Sequence, residues 1–201
     1  DTKTKMTKKQ YALFIPALFV LLLGVLFVLR GDILVQDNGK KTVLSTFTVI
    51  SDMVREVGGD KVNSVSLTKP GAEIHGYEPT PGDLIRASKA DIIFDNGLNL
   101  EVWASKLYAS IPNVPHVTLS EGVEIIPIRE GAYKNKPNPH AWMSPKQALV
   151  YVENIRKALV ELDPEHKEDF NRNAKVYSEK IKNLDAKLRL EMRGEIRRIC
   201  K

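Results

Sequence analysis

Cysteine is almost absent from this chain of 201 residues, because Cys200 is the only one. A lone cysteine excludes an intrachain disulfide, even in an exported compartment where such bonds are permitted. In addition, no cysteine lies near a histidine, although a thiol nucleophile needs such a neighbouring base. Since no cysteine lies near the N-terminus, a lipid-modified N-terminus is not expected either.

Short enzyme motifs are missing as well. The sequence contains no G-x-S-x-G, no P-loop, no G-x-G-x-x-G and no H-E-x-x-H. The net charge of +5 comes partly from residues close to the two ends, and the middle of the chain is nearly balanced, so no basic face for phosphate is evident. We therefore predict that the chain is not an enzyme and has no nucleic-acid partner.

An uncharged apolar run lies at residues 11–29, directly after a segment that contains several lysines. A run of this length can span about 30 Å of hydrocarbon and exceeds the ~7–15-residue core of a signal peptide. No small-x-small cleavage site follows it. We expect residues 1–30 to be a signal peptide or a membrane anchor, and the protein to be exported to the periplasm or to the outer face of the cytoplasmic membrane. Residues 31–40 are polar and turn-rich, which predicts a linker.

Beyond residue 40, short β-branched runs alternate with helical patterns, which favours a parallel sheet covered by helices. This alternation predicts an α/β fold for residues 41–163. The predicted strands are residues 41–47, 61–68, 90–97, 116–120 and 123–128, and the first predicted helices are residues 48–58, 81–88 and 100–110. The second of these helices has a clear start, with Thr80 as N-cap, Pro81 at the first position and Asp83 at the third.

Two later helices are also marked by proline. Pro145 opens one that extends to about residue 162, and Pro164 opens a last one over residues 164–201. A continuous helix of that length is about 50 Å long, whereas a body of about 150 residues has a radius of gyration of only ~15 Å. The last helix should therefore extend past the body. Its apolar stripe consists of Phe170, Ala174, Tyr177, Ile181, Leu184, Leu188, Met192, Ile196 and Ile199.

Two loops carry one histidine each. His75 and His140 both follow predicted strands and precede helices that begin at proline. Loops at the carboxyl ends of parallel strands line one edge of the sheet, where ligands bind. Two imidazoles brought together there suit a transition metal such as zinc or manganese. The alternative is that both are ordinary surface histidines, and we expect His116 and His166 to be structural or solvated.

Three stretches, in this order, carry a resemblance to a known family: HGYEPTPGD at residues 75–83, DNGLNLEVW at residues 95–103 and NPHAWMSP at residues 138–145. Together they resemble the metal-binding lipoprotein family of ABC importers, the periplasmic or surface-bound receptors for manganese and zinc. The resemblance covers about residues 41–190. It implies a binding protein that captures Mn²⁺ or Zn²⁺ and passes it to an ABC permease in the membrane.

Members of that family have two α/β lobes joined by one long helix, with the metal in the cleft and two ligands from each lobe. The resemblance implies that residues 41–163 are the N-terminal lobe, that residues 164–201 are the linking helix, and that His75 and His140 are metal ligands. The second lobe and its ligands have no counterpart in this sequence. The lack of a histidine-rich loop before His140 favours Mn²⁺, with Zn²⁺ as the alternative.

Other functions stay open on the sequence alone. A truncated form of such a receptor would retain this lobe and transport nothing. A membrane-anchored metal-dependent hydrolase would need a third ligand within the chain, for which Glu73 and Glu78 are candidates. An anchored interaction module would instead use the apolar stripe of the last helix to bind a partner.

Overall fold

The computed structural model describes residues 39–199. The predicted signal peptide or anchor at residues 1–30 and most of the predicted linker lie outside this range. None of the helices within the range is long and apolar enough to cross a membrane. The membrane-directed segment at residues 11–29 therefore stays a prediction.

A four-stranded parallel sheet forms the centre of the described part of the chain. Its strands are ordered β2-β1-β3-β4, and every neighbouring pair is parallel. The prediction of an α/β fold with a parallel sheet is confirmed. The strands are β1 (Lys41–Ser45), β2 (Val62–Ser66), β3 (Ile92–Asp95) and β4 (His116–Thr118).

Helices connect the strands, because a tight turn cannot return the chain to the end of the sheet where a parallel strand must begin. The three crossover helices are α1 (Thr48–Gly58), α2 (Pro81–Ala87) and α3 (Ala104–Ser110). Two longer helices follow β4, namely α4 (Pro145–Leu162) and α5 (Lys167–Ile199).

The sheet is buried on both faces, because successive residues of a strand point to opposite sides. Val43 and Phe94 lie in a core with residues of α1, α4 and α5. Leu44 and Ile93 lie in a second core with residues of α2 and α3. Burial on both faces explains why the central strand β3 is a continuous apolar run instead of an alternating one.

The predicted strand at residues 123–128 is wrong. This stretch lies in a loop, where Pro127 and Pro137 form an isolated antiparallel bridge and the N–H of Asn138 donates to the carbonyl oxygen of Ile126 (2.8 Å). Pro127 has no N–H to donate to a sheet, and Ile126 is 56% exposed. The apolar residues at 123–128 therefore belong to a local hairpin and not to a strand of the sheet.

The predicted helix at residues 100–110 begins later than expected, at Ala104. The residues before it form a turn that starts with three left-handed residues, Gly97, Leu98 and Asn99. A left-handed backbone cannot continue directly into a right-handed helix, so the first turn of α3 is delayed.

Helix α5 is long, as the spacing of its apolar residues predicts. At about 1.5 Å per residue it extends for about 50 Å. Phe170, Ala174 and Ile181 are buried in the core with α1 and α4. Leu184 and Leu188, further along the same stripe, are 53% and 42% exposed. The first half of the stripe is therefore covered by α1 and α4, and the second half is not covered by residues 39–199.

Candidate metal centre

After the two central strands, β1 and β3, the chain turns towards opposite sides of the sheet. From β1 it passes through α1 to β2 on one side, and from β3 it passes through α3 to β4 on the other. Open α/β sheets bind ligands in the crevice outside the carboxyl ends of two such strands. The loops that carry His75 and His140 follow the two outer strands, β2 and β4, so they approach this edge from opposite sides.

The structure brings the two predicted histidines together. Nε2 of His75 lies 3.3 Å from Nε2 of His140, and the ring centroids are 5.3 Å apart. Because the two residues are 65 positions apart in the sequence, their contact depends on the whole fold. Both side chains are exposed, so an ion can reach them from solvent.

Asn138 orients the ring of His140. Its Oδ1 accepts hydrogen bonds from the backbone N–H of His140 (3.0 Å) and from the ring Nδ1 (2.9 Å). A backbone N–H can only donate, so the contacting atom of Asn138 is the oxygen and Nδ1 carries the proton. Nε2 of His140 therefore keeps an unprotonated lone pair, which is the form of a metal-binding histidine.

The electrostatic surroundings favour a neutral imidazole at His140. Burial, and after it the neighbouring His75, lower the pKa of His140 below its ordinary value. The ring also lies beside Trp142, with 5.3 Å between the centroids, and Trp142 packs in turn against Phe47. The neutral form, which binds metal ions, is thus retained to a lower pH than in a fully solvated histidine.

The loop of His75 ends in the helix start that the sequence predicts. Thr80 and Asp83 form a capping box at the N-terminus of α2, and the hydroxyl of Tyr77 donates to Oδ2 of Asp83 (2.8 Å). Burial raises the pKa of Asp83, but hydrogen bonds from Thr80, Arg86 and Tyr77 outweigh it and lower the pKa to about 2. The C-terminal end of the loop is therefore firmly attached to α2.

The carboxylates near His75 do not form a larger metal site within the described part of the chain. Oε1 of Glu73 accepts a hydrogen bond from the backbone N–H of His75 (2.9 Å). Among residues 39–199, no group of three or more histidine, cysteine, aspartate or glutamate side chains is placed to hold a metal ion. The third ligand that a hydrolase would need from Glu73 or Glu78 is therefore not assembled in the described part.

The other two histidines have structural partners. His116 stacks on Tyr108, with 4.2 Å between the ring centroids. Nδ1 of His166 lies 2.7 Å from Oδ2 of Asp163 at the start of the last helix. Both arrangements agree with the expectation that these histidines are structural or solvated.

Sequence reasoning missed the role of Asn138. A local signal for it existed, because asparagine side chains commonly accept hydrogen bonds from the backbone N–H two residues further on, and His140 is two residues further on. No comparable local signal marks Trp142, whose place beside His140 depends on a short 3₁₀ turn, Ala141–Met143.

Comparison with solved structures gives the class of protein. The Mn-bound periplasmic metal binding protein from Candidatus Liberibacter asiaticus matches with a TM-score of 0.69 and 40% identity, over 76% of this chain and 58% of that one. Zn(II)-bound AdcA from Streptococcus pneumoniae matches with a TM-score of 0.65 and 31% identity, over 73% of this chain and 32% of that one. The described fold is that of a lobe of a metal-binding receptor.

The family described as ZnuA, zinc-uptake complex component A periplasmic, matches residues 43–197. The chain belongs to this family. The family consists of substrate-binding transport proteins and not of enzymes, which confirms the prediction that the chain is not an enzyme. Its periplasmic or surface-bound members likewise confirm the predicted location outside the cytoplasm.

Similar curated proteins are named for different metals. The chain is 55% identical over 155 residues to the iron-binding protein YfeA from Yersinia pestis, covering 77% of this chain and 50% of that protein. It is 38% identical over 157 residues to the manganese ABC transporter substrate-binding lipoprotein scaA from Streptococcus gordonii, covering 75% and 51%. The chain spans about half the length of the curated relatives it matches.

Proposed function

We propose that this chain is the N-terminal lobe and linking helix of an extracytoplasmic receptor that captures a divalent metal ion and passes it to an ABC permease. In this proposal residues 41–163 form the metal-binding lobe and residues 164–201 the linking helix. His75 and His140 are the two ligands that the lobe supplies. The ion is a transported substrate, and the chain catalyses no reaction.

The observation that carries the proposal is the distance of 3.3 Å between the Nε2 atoms of His75 and His140. Two nitrogen ligands that each lie about 2.0–2.1 Å from a tetrahedral zinc ion are about 3.4 Å apart. One ion can therefore be bound by both rings with little movement of either. The unprotonated Nε2 of His140, which follows from its hydrogen bond to Asn138, supports the same conclusion.

Mn²⁺ is the metal that we propose first, with Zn²⁺ as the alternative. Neutral imidazole binds several transition metals, so the two histidines do not choose among them. The lack of a histidine-rich loop before His140 favours manganese. One relative is named for manganese and another for iron, so iron joins the candidates. With two ligands, the lobe alone should bind weakly and discriminate little.

The membrane enters the proposal through the N-terminal segment. Residues 11–29 would direct the chain out of the cytoplasm and, where they are retained, anchor it beside the permease. The apolar run in the sequence supports this part of the proposal. Protease accessibility of the chain in intact cells, compared with a chain that lacks residues 1–30, would test it.

Isothermal titration calorimetry with Mn²⁺ and Zn²⁺ tests the assignment of the ligands, using the 201-residue chain in mild detergent. We expect weak binding at a ratio of one ion per chain. The binding should weaken as the pH falls through and below about 6.5, the ordinary pKa of histidine. The double variant His75→Ala/His140→Ala should abolish it. His116→Ala is the matched control, because this histidine stacks on Tyr108. Tight manganese binding that survives the double substitution would contradict the assignment.

A further inference from the structure

The residue before His140 is held by Asn96, the first residue after β3. Nδ2 of Asn96 donates a hydrogen bond to the carbonyl oxygen of Pro139 (2.9 Å). Asn96 is fully buried, and the hydroxyl of Tyr151 donates to its Oδ1 (2.6 Å), which fixes the orientation of the amide. The backbone that leads into His140 is thereby tied to the end of a central strand.

The residue before His75 is held in the same way by Trp103. Nε1 of Trp103 donates a hydrogen bond to the carbonyl oxygen of Ile74 (2.8 Å). The indole ring also packs edge to face against Tyr77, with 5.1 Å between the centroids, so it cannot turn away without losing that contact. Asn96 and Trp103 are the two ends of one short segment, residues 96–103, between β3 and α3.

A buried carboxylate fixes the shape of this segment. Oε1 of Glu101 accepts hydrogen bonds from the backbone N–H of Asn96 (2.9 Å) and from the hydroxyl of Thr46 (2.7 Å). Oε2 accepts one from the backbone N–H of Gly97 (3.2 Å). Glu101 is 8% exposed, so these bonds are sheltered from water. The segment is therefore a closed loop that is also attached to the residue following β1.

The backbone of the segment adopts an unusual conformation. Gly97, Leu98 and Asn99 have φ angles of 76°, 53° and 62°, in the left-handed region that leucine rarely enters. A Cβ atom on Gly97 would lie 2.3 Å from Cγ2 of Thr118, so glycine is required there. Strain of this kind persists only where surrounding contacts impose it, and it is concentrated at ligand sites and switch regions.

We infer that residues 96–103 act as a brace that sets the separation of the two histidines, with Asn96 and Trp103 as positioning residues. The inference rests on the proposed function, in which His75 and His140 bind one ion. Because the brace is attached to both loops, the loss of either attachment lets one imidazole move relative to the other. A pair that binds one ion together then becomes two separate single ligands.

Copper provides a probe that counts imidazoles. Cu²⁺ binds nitrogen ligands more tightly than the other first-row divalent ions, and pulsed electron paramagnetic resonance detects each imidazole bound to it. We expect Cu²⁺ bound to the full 201-residue chain to show two imidazoles. Trp103→Phe removes the N–H donor but keeps an aromatic ring. It should raise the Kd for Cu²⁺ about three- to tenfold and shift part of the copper to one imidazole.

A second variant tests the attachment of the brace to the His140 loop, and a control tests general destabilisation. Tyr151→Phe removes the donor to Asn96 and should act in the same direction as Trp103→Phe. Tyr108→Phe is the control, because its hydroxyl donates to Asp95 (2.8 Å) and not to a residue of either histidine loop. It should lower thermal stability while keeping the Kd and both imidazoles. Copper binding weakened equally by the control would mean general destabilisation and would overturn the inference.

His75→Ala and His140→Ala separate failure of the brace from failure of the proposed function. If each removes one imidazole while Trp103→Phe and Tyr151→Phe leave the Kd and both imidazoles unchanged, the ligands are correct and the brace is wrong. If both alanine variants keep two imidazoles, the proposed function fails and the brace with it. Circular dichroism checks folding, and if Trp103→Phe does not fold, Tyr151→Phe alone decides.

Discussion

The two histidine loops differ in how they hold their rings. At His140 the side chain itself is bound, because Oδ1 of Asn138 accepts a hydrogen bond from the ring Nδ1. At His75 the backbone is bound instead, since Oε1 of Glu73 accepts a hydrogen bond from its N–H. Within residues 39–199, the ring of His75 has a hydrogen-bond partner only in His140. One imidazole is thus oriented by its own loop and the other by its neighbour.

This difference gives the two histidines separate roles. Because Nδ1 of His140 carries the proton, its Nε2 can only accept, so Nε2–H of His75 donates to it at 3.3 Å. His140 is therefore ready for a metal ion. In the proposed site, His75 must first move its proton from Nε2 to Nδ1, because only an unprotonated nitrogen can bind the ion. We expect His140 to make the first contact with the ion and His75 to complete the pair.

Removal of the His140 ring, which its own loop orients, should cause the strongest loss of metal affinity. His140→Ala should weaken Zn²⁺ binding about 100-fold, and His75→Ala about 30-fold, because the ring left in His140→Ala has no orienting partner. Calorimetry of the two variants under identical conditions measures the ratio. Equal losses would show that the two rings contribute alike and would contradict their separate roles.

The second effect concerns the helix cap that holds the end of the His75 loop. The folded pKa of Asp83, about 2, lies below its ordinary value of 3.8. The ionised carboxylate therefore stabilises the fold above about pH 4, by about 2 kcal/mol at roughly 1.4 kcal/mol per pKa unit, and this contribution is lost as the pH falls from about 4 to about 2. Asp83→Asn should be less stable than the parent chain by about that amount at neutral pH.

Denaturant unfolding of the parent chain and of Asp83→Asn, at neutral pH and near the folded pKa, measures this difference. The gap between the two should close at the acidic end, because the parent carboxylate is then protonated as well. Asp52→Asn is the control, since Asp52 is exposed and its ion-pair partner Arg55 is exposed as well. A gap for Asp83→Asn that stays constant with pH would show that the charge of Asp83 does not hold the loop.

The smallest of the three effects tests the orientation of His140. Asn138→Ala removes the acceptor for its ring Nδ1 and should weaken Zn²⁺ binding about tenfold. Asn138→Asp keeps an oxygen acceptor at that position and should restore most of the affinity. Imidazole nitrogen shifts should show a mixture of tautomers at His140 in the alanine variant alone. Unchanged affinity in Asn138→Ala would remove the difference between the two loops.

The fold could be predicted well where its signals are local. Thr80, Pro81 and Asp83 lie within one turn, and the structure confirms them as the start of α2. The sheet follows from alternating strand and helix patterns of the same kind. The stretch at residues 123–128 could not be assigned correctly, because whether an apolar run joins a sheet depends on a free neighbouring strand elsewhere in the chain. Pro127 was a local signal against a strand, because proline has no N–H to donate to a sheet.

The candidate site was predictable only in part, for the same reason. His75 and His140 could be paired because each follows a strand and precedes a helix, a rule that parallel sheets impose. The hydrogen bonds from Asn96 to Pro139 and from Trp103 to Ile74 join residues 43 and 29 positions apart. No local pattern specifies such bonds, so the brace becomes visible only in the folded chain.

Nitrogen-15 NMR of the imidazoles during a Zn²⁺ titration shows directly whether one ion binds both histidines. We predict that Nε2 of His75 and Nε2 of His140 shift together and saturate at one ion per chain. His140 should keep its Nδ1–H throughout, while His75 passes from Nε2–H to Nδ1–H. A shift at one histidine alone, or saturation of the two at different Zn²⁺ concentrations, would contradict the binding of one ion by both.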